Sequence, residues 1–457
     1  MISLAIVWGE VGVKVGQLLL SLSILVILHE FGHYITARWF GCRVERFFLF
    51  FDPWFSLFKK KVGDTVYGIG WLPLGGYVKI SGMIDESMDK EQLALPPQPY
   101  EFRSKPAWQR LIIMIGGVTV NIILAFIIYS GILMVWGEKT VPNQSVKYGI
   151  AIQDSVMYEL GFKDGDKILA ANKEPIADFG DIIKKVIVSE TVTIERDGKQ
   201  MEMPLRVDFI GELVEKKRGN AGLILPRVPV IVSETPDSLA AYKAGLRNGD
   251  KIVAVNNEPV QFFDQYKKMI ASQKNKLVAI SILRGADTVQ MNVQADSNAR
   301  LGFMAMNSMD EFQKAGVLSF EVKKYGFFAA IPAGIRMAGS QLKFYVDQFK
   351  KILSPETGAY KGVGGFKSMG NIFPGTWNWE SFWNITAFFS IVLAFMNLLP
   401  IPALDGGHVL FTLIEMITGR KPNQKFLEYA QLVGMILLLG LMLYANANDW
   451  LGWGRSK

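Results

Sequence analysis

The sequence predicts a polytopic α-helical membrane protein in which four transmembrane helices are interrupted by a large α/β insert. Half of its 457 residues are hydrophobic and the mean hydropathy is +0.22, high for a chain that faces only water. That apolarity is uneven. It concentrates near residues 17–40, 111–136, 382–401 and 426–444. Each stretch is close to the roughly 20 helical residues that cross a hydrocarbon core of about 30 Å. Between the second and third stretches, residues 138–348 have an ordinary globular composition.

The first stretch contains Leu18-Leu-Leu-Ser-Leu-Ser-Ile-Leu-Val-Ile-Leu28 and continues through His29 and Glu30. It reads as a retained span rather than a cleaved signal, being long, carrying ionisable groups and lacking a small-residue cleavage site. Orientation follows from the basic residues of the short connections. Residues 38–110 hold Arg43, Arg46, Lys59, Lys60, Lys61, Lys79, Arg103 and Lys105, and the connection between the last two spans holds Arg420, Lys421 and Lys425. Both connections are therefore expected in the cytoplasm, with the large insert and both termini on the other side. The net charge of +7 is spread along these flanks with no aromatic-interleaved patch, which argues against nucleic-acid binding. Cys42 is the single cysteine, so no intrachain disulfide is possible.

Within the insert the chain repeats itself. Gly161-Phe-Lys-Asp-Gly-Asp-Lys-Ile-Leu-Ala-Ala-Asn-Lys-Glu-Pro-Ile176 recurs as Gly245-Leu-Arg-Asn-Gly-Asp-Lys-Ile-Val-Ala-Val-Asn-Asn-Glu-Pro-Val260, with nine of sixteen positions identical at an offset of 84. Each copy places a Gly-Asp turn before an apolar strand and an Asn-containing turn after it. Two copies are too few for a solenoid, so a pair of small α/β modules is expected, over residues 146–228 and 229–300. They resemble the PDZ domains of bacterial envelope proteases; an unrelated duplicated β-rich domain is the alternative. The resemblance implies either capture of a chain terminus by strand addition or a size filter. Residues 319–380 follow as an amphipathic helix near 320–353, suited to the membrane surface or to packing on the modules, and an irregular connector over 362–375. The flanking domains are residues 1–136 and 381–457.

Of three histidines, two stand in His29-Glu30-Phe31-Gly32-His33. On a helix, positions i and i+4 share a face, so two imidazoles can grip one Zn²⁺ with the Glu beside them. Ionisable groups at membrane depth are costly enough to imply function. A catalytic zinc site wants a third protein ligand. The candidate lies in the third span, in Asn397-Leu-Leu-Pro-Ile-Pro-Ala-Leu-Asp405-Gly-Gly-His408, where Pro400 and Pro402 break the helix and Asp405 has no basic neighbour in sequence.

These paired motifs resemble those of the site-2 protease family, and the repeated modules between the second and third spans resemble its bacterial, sigma-E-regulating branch. The resemblance covers nearly the whole chain. It implies an intramembrane zinc metalloprotease of a bacterial inner membrane. One Zn²⁺ per chain would be held by His29, His33 and Asp405, with Glu30 as catalytic acid/base. Its substrates would be single-pass membrane proteins, an anti-sigma factor trimmed by an earlier cleavage or a signal-peptide remnant among them. Asn397 matches the family's polar position near the substrate backbone. Gly117-Val-Thr-Val-Asn121 resembles its Gly-x-x-x-Asn element, with Val118 where many members have proline. That makes Asn121 a candidate substrate contact, or a helix-packing residue making an interhelical hydrogen bond. Tyr67-Gly-Ile-Gly-Trp-Leu-Pro-Leu-Gly-Gly-Tyr-Val-Lys79 resembles the family's membrane-associated β-hairpin, and Gly75 and Gly76 are candidate positions for pairing with an unwound substrate. His408 reads as a polar residue at the helix end, with a supporting role beside the metal as the alternative. A catalytically inactive membrane adaptor bearing PDZ modules is the competing function, and a zinc transporter a more distant one.

Overall fold

The computed structural model describes residues 2–73, 75–83, 95–215 and 222–452. Leu74 of the expected hairpin, residues 216–221 of the first expected module and 453–457 of the last expected domain lie outside them. The chain divides into two units: Met1–Gly137, Lys324–Lys350 and Lys361–Lys457 form one, Glu138–Lys323 and Lys351–Tyr360 the other.

In the first unit, helix α1 (Ile2–Trp39) leads into strands β1 (Val44–Leu49), β2 (Phe51–Val62), β3 (Thr65–Leu72) and β4 (Tyr77–Ile80). Then come α2 (Ala107–Val135), α3 (Phe327–Leu353), α4 (Phe366–Ile372), α5 (Trp379–Leu398), α6 (Asp405–Thr418) and α7 (Gln424–Leu451). Among the described residues, Trp8–Trp39, Ala107–Val135, Trp379–Leu398 and Gln424–Leu451 are long and apolar enough to cross a membrane. The first helix begins well before residue 17. No proline interrupts residues 2–39, and glycines such as Gly9 and Gly12 cost a helix only about 1 kcal/mol each.

The helices are tied by close backbone contact and a few polar bridges, as expected where lipid offers no hydrophobic drive for helix association. Gly32 of α1 meets Gly116 and Gly117 of α2 so closely that a Cβ on it would fall 2.6 Å from the Gly116 carbonyl carbon. Ser390 of α5 donates to the Asn121 carbonyl at 2.7 Å, and Thr386 to Ser21 Oγ at 3.0 Å. Each such bond is worth about 0.6 kcal/mol in lipid, so the small-residue contacts set the crossing. Arg110 of α2 pairs with Glu415 of α6 at 2.5 Å, both largely buried.

Four expectations change here. The third span ends at Leu398, and Asp405 opens a separate 14-residue helix, α6. Pro400 and Pro402 remove two backbone donors, so helix can resume only beyond them. Tyr67–Lys79 is not a hairpin. The sheet order is β2-β3-β1-β4, so β1 lies between β3 and β4, parallel to the first and antiparallel to the second. The true hairpin joins β2 and β3 through Gly63-Asp64. Residues 362–375 are not all irregular, because α4 lies within them. Asp449 of α7 accepts from the amides of Gly365 and Ser368 at 2.9 and 3.0 Å, satisfying donors at the start of α4. The amphipathic helix starts at Phe327 rather than 320, since Glu321–Lys323 forms a strand with Glu138–Thr140.

The second unit contains two module cores, one built around Ile150, Met157, Ile168, Ile194 and Phe209, the other around Val232, Leu246, Ile252, Ile280 and Leu301, and a third, smaller cluster around Val141, Val146, Phe312 and Leu318. The repeat of 84 residues is a repeat of conformation. Gly161 and Gly245 both have φ near +95°, at +94° and +97°. Asn172-Lys173 and Asn256-Asn257 each supply two consecutive positive-φ residues, as a type I′ hairpin requires. Asp166 and Asp250, each 1% exposed, hold Arg196 and Arg284 through paired bonds of 2.7–2.8 Å. Each arginine also donates to the carbonyl of the glycine opening its own repeat, Gly161 or Gly245, at 2.8 Å. The two cores are clasped by Arg227–Asp264 and Lys268–Asp164, both at 2.9 Å.

Candidate active site

The crossing of α1 and α2 places both imidazoles of the His-Glu-x-x-His turn. His33 Nδ1 lies 2.8 Å from the Ile113 carbonyl, and His29 Nδ1 lies 3.2 Å from Asn121 Nδ2. With their Nδ1 atoms so engaged, both rings turn Nε2 toward the start of α6. There His29 Nε2 is 3.1 Å and His33 Nε2 3.2 Å from Asp405 Oδ2, and the two nitrogens are 3.3 Å apart. Both histidines are 6% exposed.

These donors make a nearly equilateral triangle. A tetrahedral zinc with bonds of about 2.0–2.1 Å separates its ligand atoms by about 3.3–3.4 Å, so the spacing fits one ion. Two imidazoles and a carboxylate are also the donor set of zinc hydrolases. Among the described residues, this is the one cluster of three His, Cys, Asp or Glu side chains that could hold a metal. Asp405 Oδ2 faces the two imidazole Nε2 atoms, and a buried carboxylate without a cation is costly.

A cavity of about 650 Å³ opens from the triangle and is walled by Glu30, Gly76, Tyr77, Val78, Leu404 and His408 among others. Glu30 shares the cavity wall with Gly76 and Val78, so its side chain sits beside edge strand β4. Gly76 is needed small: a Cβ there would lie 2.7 Å from Val26 Cγ1 and from the Phe48 carbonyl, and 3.6 Å from Glu30 Cγ. Gly75, with φ +149°, lies against the Phe51 ring. On the wall, burial pushes the Tyr77 phenol above its ordinary pKa; it keeps its proton and donates to Asp52 at 2.8 Å.

Asn397, in the last turn of α5, brings its amide 3.1 Å from His29 Nε2, at the rim of the triangle. Asn121 is placed differently from the substrate contact expected of it. It is fully buried behind His29, bonded to the ring and away from the cavity wall. A residue with no exposed surface reaches substrate only through the imidazole it orients. His408 lines the cavity rather than merely ending a helix. Sequence reading passed over Gly32 and the Ile113 carbonyl. Gly32 had a signal, as a small residue beside a histidine on a helix expected to pack; the carbonyl had none.

The model of Peptidase family M50 matches residues 17–441. The regulator of sigma E protease of Salmonella typhi is 28% identical over 98% of this chain and 99% of its own. The regulator of sigma-E protease RseP of Escherichia coli K12 is 26% identical over 94% and 97%, respectively. A candidate zinc metalloprotease of Neisseria meningitidis serogroup A is 26% identical over 94% and 97%. Among solved structures, the PDZ domain of a Listeria monocytogenes protein covers 19% of this chain and 92% of its own, at 19% identity and a TM-score of 0.17, too slight a superposition to argue from. The family match runs through His29, His33 and Asp405 alike, so it does not rest on one short motif: the chain belongs to Peptidase family M50.

Proposed function

We propose that this chain is an intramembrane zinc endopeptidase that cuts the membrane-spanning segment of single-pass proteins, with His29, His33 and Asp405 as ligands of one zinc per chain and Glu30 as acid/base. The observation that carries the reading is the triangle of donor atoms, 3.1–3.3 Å on each side, beside a carboxylate on the wall of one cavity. Zinc held there supplies Lewis acidity and brings the pKa of a bound water toward about 7.

The chain's own groups do the rest. Glu30, at the cavity wall against β4, takes the proton of the attacking water and returns it to the leaving amine. A substrate helix must open locally before its carbonyl can be reached, and the freed amides need partners. The outer edge of β4 and the amide of Asn397 supply donors and acceptors at that point. The two repeated modules, read as a tandem of PDZ domains, act as a size filter on what approaches. The basic residues of the short connections support an orientation with the catalytic half toward the cytoplasm and the modules outside it, in a bacterial inner membrane. The motif resemblance to the sigma-E-regulating branch supports a substrate class that includes an anti-sigma factor already trimmed by another protease, and two relatives are named regulators of sigma-E protease.

The test is a Glu30→Gln variant in a reconstituted cleavage assay with parallel metal analysis. Zinc content should match wild type while cleavage falls by about 10²–10⁴-fold, the size of a lost general acid/base. Unchanged cleavage would remove Glu30 from the chemistry. Zinc-free, inactive wild-type protein would favour the adaptor reading.

A further inference from the structure

We infer that Gln431 of α7 is a positioning residue of the active site, whose side-chain carbonyl clamps the left-handed loop that presents Asp405 to the two histidines. The inference rests on the reading of His29, His33 and Asp405 as zinc ligands, and it adds a residue from a helix outside that set. In the loop over residues 400–404, Pro400 and Pro402 have no N–H, so the backbone donors are the amides of Ile401, Ala403 and Leu404. The Ile401 amide donates to the Leu399 carbonyl at 2.7 Å and the Leu404 amide to the Ile401 carbonyl at 3.0 Å. Those two bonds travel with the loop. The Ala403 amide instead donates to Gln431 Oε1 at 3.1 Å, which ties the loop to a neighbouring helix.

The same peptide group meets α7 a second time. A Cβ on Gly434 would collide with the Pro402 carbonyl. Gln431 and Gly434 are three residues apart and so share one face of α7. Both are buried, while Leu432 and Val433 between them are 39% and 63% exposed. The peptide joining Pro402 to Ala403 therefore lies along the inward face of α7, its N–H at Gln431 and its oxygen at Gly434.

The loop needs such a clamp because Ala403 has φ +80°. A left-handed residue with a Cβ is disfavoured about 5- to 30-fold, and it persists only where its surroundings hold it. Asp405 stands two residues further on and opens α6. Relaxation of Ala403 to negative φ would turn the chain just before that helix and carry the carboxylate off the donor triangle. A glutamine buried in an otherwise apolar stretch is costly unless it is hydrogen-bonded, and the Ala403 amide gives it that bond. Gln431 also lines the cavity, so direct contact with substrate is the rival role. A substrate contact would leave the loop and the zinc affinity untouched, whereas a clamp acts on both.

The test uses the full-length chain in detergent, with hydrogen exchange over residues 399–407 read without metal and zinc affinity read by titration. Gln431→Met keeps the length and loses the acceptor; Gln431→Asn keeps the amide and is one methylene too short. Both should speed exchange in that segment and weaken zinc by about 5- to 30-fold, the bias of a left-handed alanine set free. Adding Ala403→Gly to either should bring zinc affinity back to within about two-fold of wild type, because glycine takes positive φ about as readily as negative. A helix that merely packs badly would show no such rescue. At saturating zinc, KM should match wild type. Unchanged exchange and affinity in both variants, or a loss that Ala403→Gly does not rescue, would overturn the positioning role. A raised KM with normal exchange and normal zinc affinity would make Gln431 a substrate contact and overturn it as well. Wild-type protein that binds no zinc would sink the metal reading instead. Exchange would then decide the clamp alone, faster in both variants upholding it and unchanged overturning it.

Discussion

A Cβ on Gly117 would lie 2.5 Å from Nε2 of His33 and 2.7 Å from Cε1 of His29. One helix must therefore be bare where the other presents its two imidazoles. Gly117→Ala should push both rings off the donor triangle. Misplacement on the order of 1 Å costs about 100-fold in rate, so cleavage should fall at least that far and zinc should bind more weakly. The check is metal content and cleavage side by side. A Gly117→Ala protein with wild-type zinc and rate would mean the crossing can slide without disturbing the site.

The second half of that relationship is Asn121, one turn further along α2 and bonded to His29 Nδ1 at 3.2 Å. Its partner atom in the ring decides how Nε2 is aimed. Loss of such a supporting bond typically weakens metal affinity by about 10–100-fold. Asn121→Ala should show that loss in a zinc titration, with catalysis recovering at saturating zinc. If zinc affinity is unchanged and only the affinity for substrate drops, Asn121 works on substrate after all.

The chemistry was more legible in the sequence than the scaffold that aims it. His29, Glu30, His33 and Asp405 announce themselves because ionisable groups in apolar stretches are rare and their spacing is helical. The four long apolar helices follow from composition and length in the same way. The sheet order did not, because pairing β1 with both β3 and β4 is a non-local choice that no alternation pattern encodes. Tyr67–Lys79 read as one hairpin, yet its Gly75-Gly76 leads from β3 to a strand on the far side of β1. The break at Pro400 and Pro402 was visible, but not that helix resumes at Asp405 itself, which puts the carboxylate in the first turn of α6. Carboxylates favour that position, where unpaired backbone amides gather.

In the repeated modules, Asp166 and Asp250 are equally buried, but Arg196 is 21% exposed and Arg284 44%. Removing either carboxylate leaves a charged donor with fewer partners, at a cost of about 1.5–3 kcal/mol for a hydrogen bond to a charged group. The less exposed Arg196 has less access to water, so Asp166→Ala should cost more than Asp250→Ala. Hydrogen exchange should speed up in residues 167–196 for the first variant and 251–284 for the second, with zinc content unchanged in both. If each variant loosens both segments equally, the two cores unfold as one.

Orientation rests on the basic residues of the two short connections. A reporter active only outside the cytoplasm should work when fused after Arg300 and be silent after Lys61. The reverse pattern would invert the topology and move the catalytic half to the other face of the membrane.

The last expectation concerns the substrate's own helix. The water activated beside Glu30 can attack only a carbonyl it can reach, and in an intact helix that carbonyl is shielded and held in the i→i−4 ladder. Opening a turn at membrane depth leaves backbone groups unpaired, at several kcal/mol each unless they are rematched. The open edge of β4 and the Asn397 amide, 3.1 Å from His29 Nε2, are the partners at hand. A substrate with glycine, proline or asparagine near the scissile bond opens more cheaply, by about 1 kcal/mol for glycine and about 3 for proline relative to alanine. Replacing such residues with leucine should therefore slow cleavage by about 5-fold to 100-fold. Asn397→Ala should slow every substrate without loss of zinc. Leucine-only spans cut as fast as glycine- or proline-containing ones would show that helix opening does not limit the rate, and recognition would then have to reside in segments flanking the span.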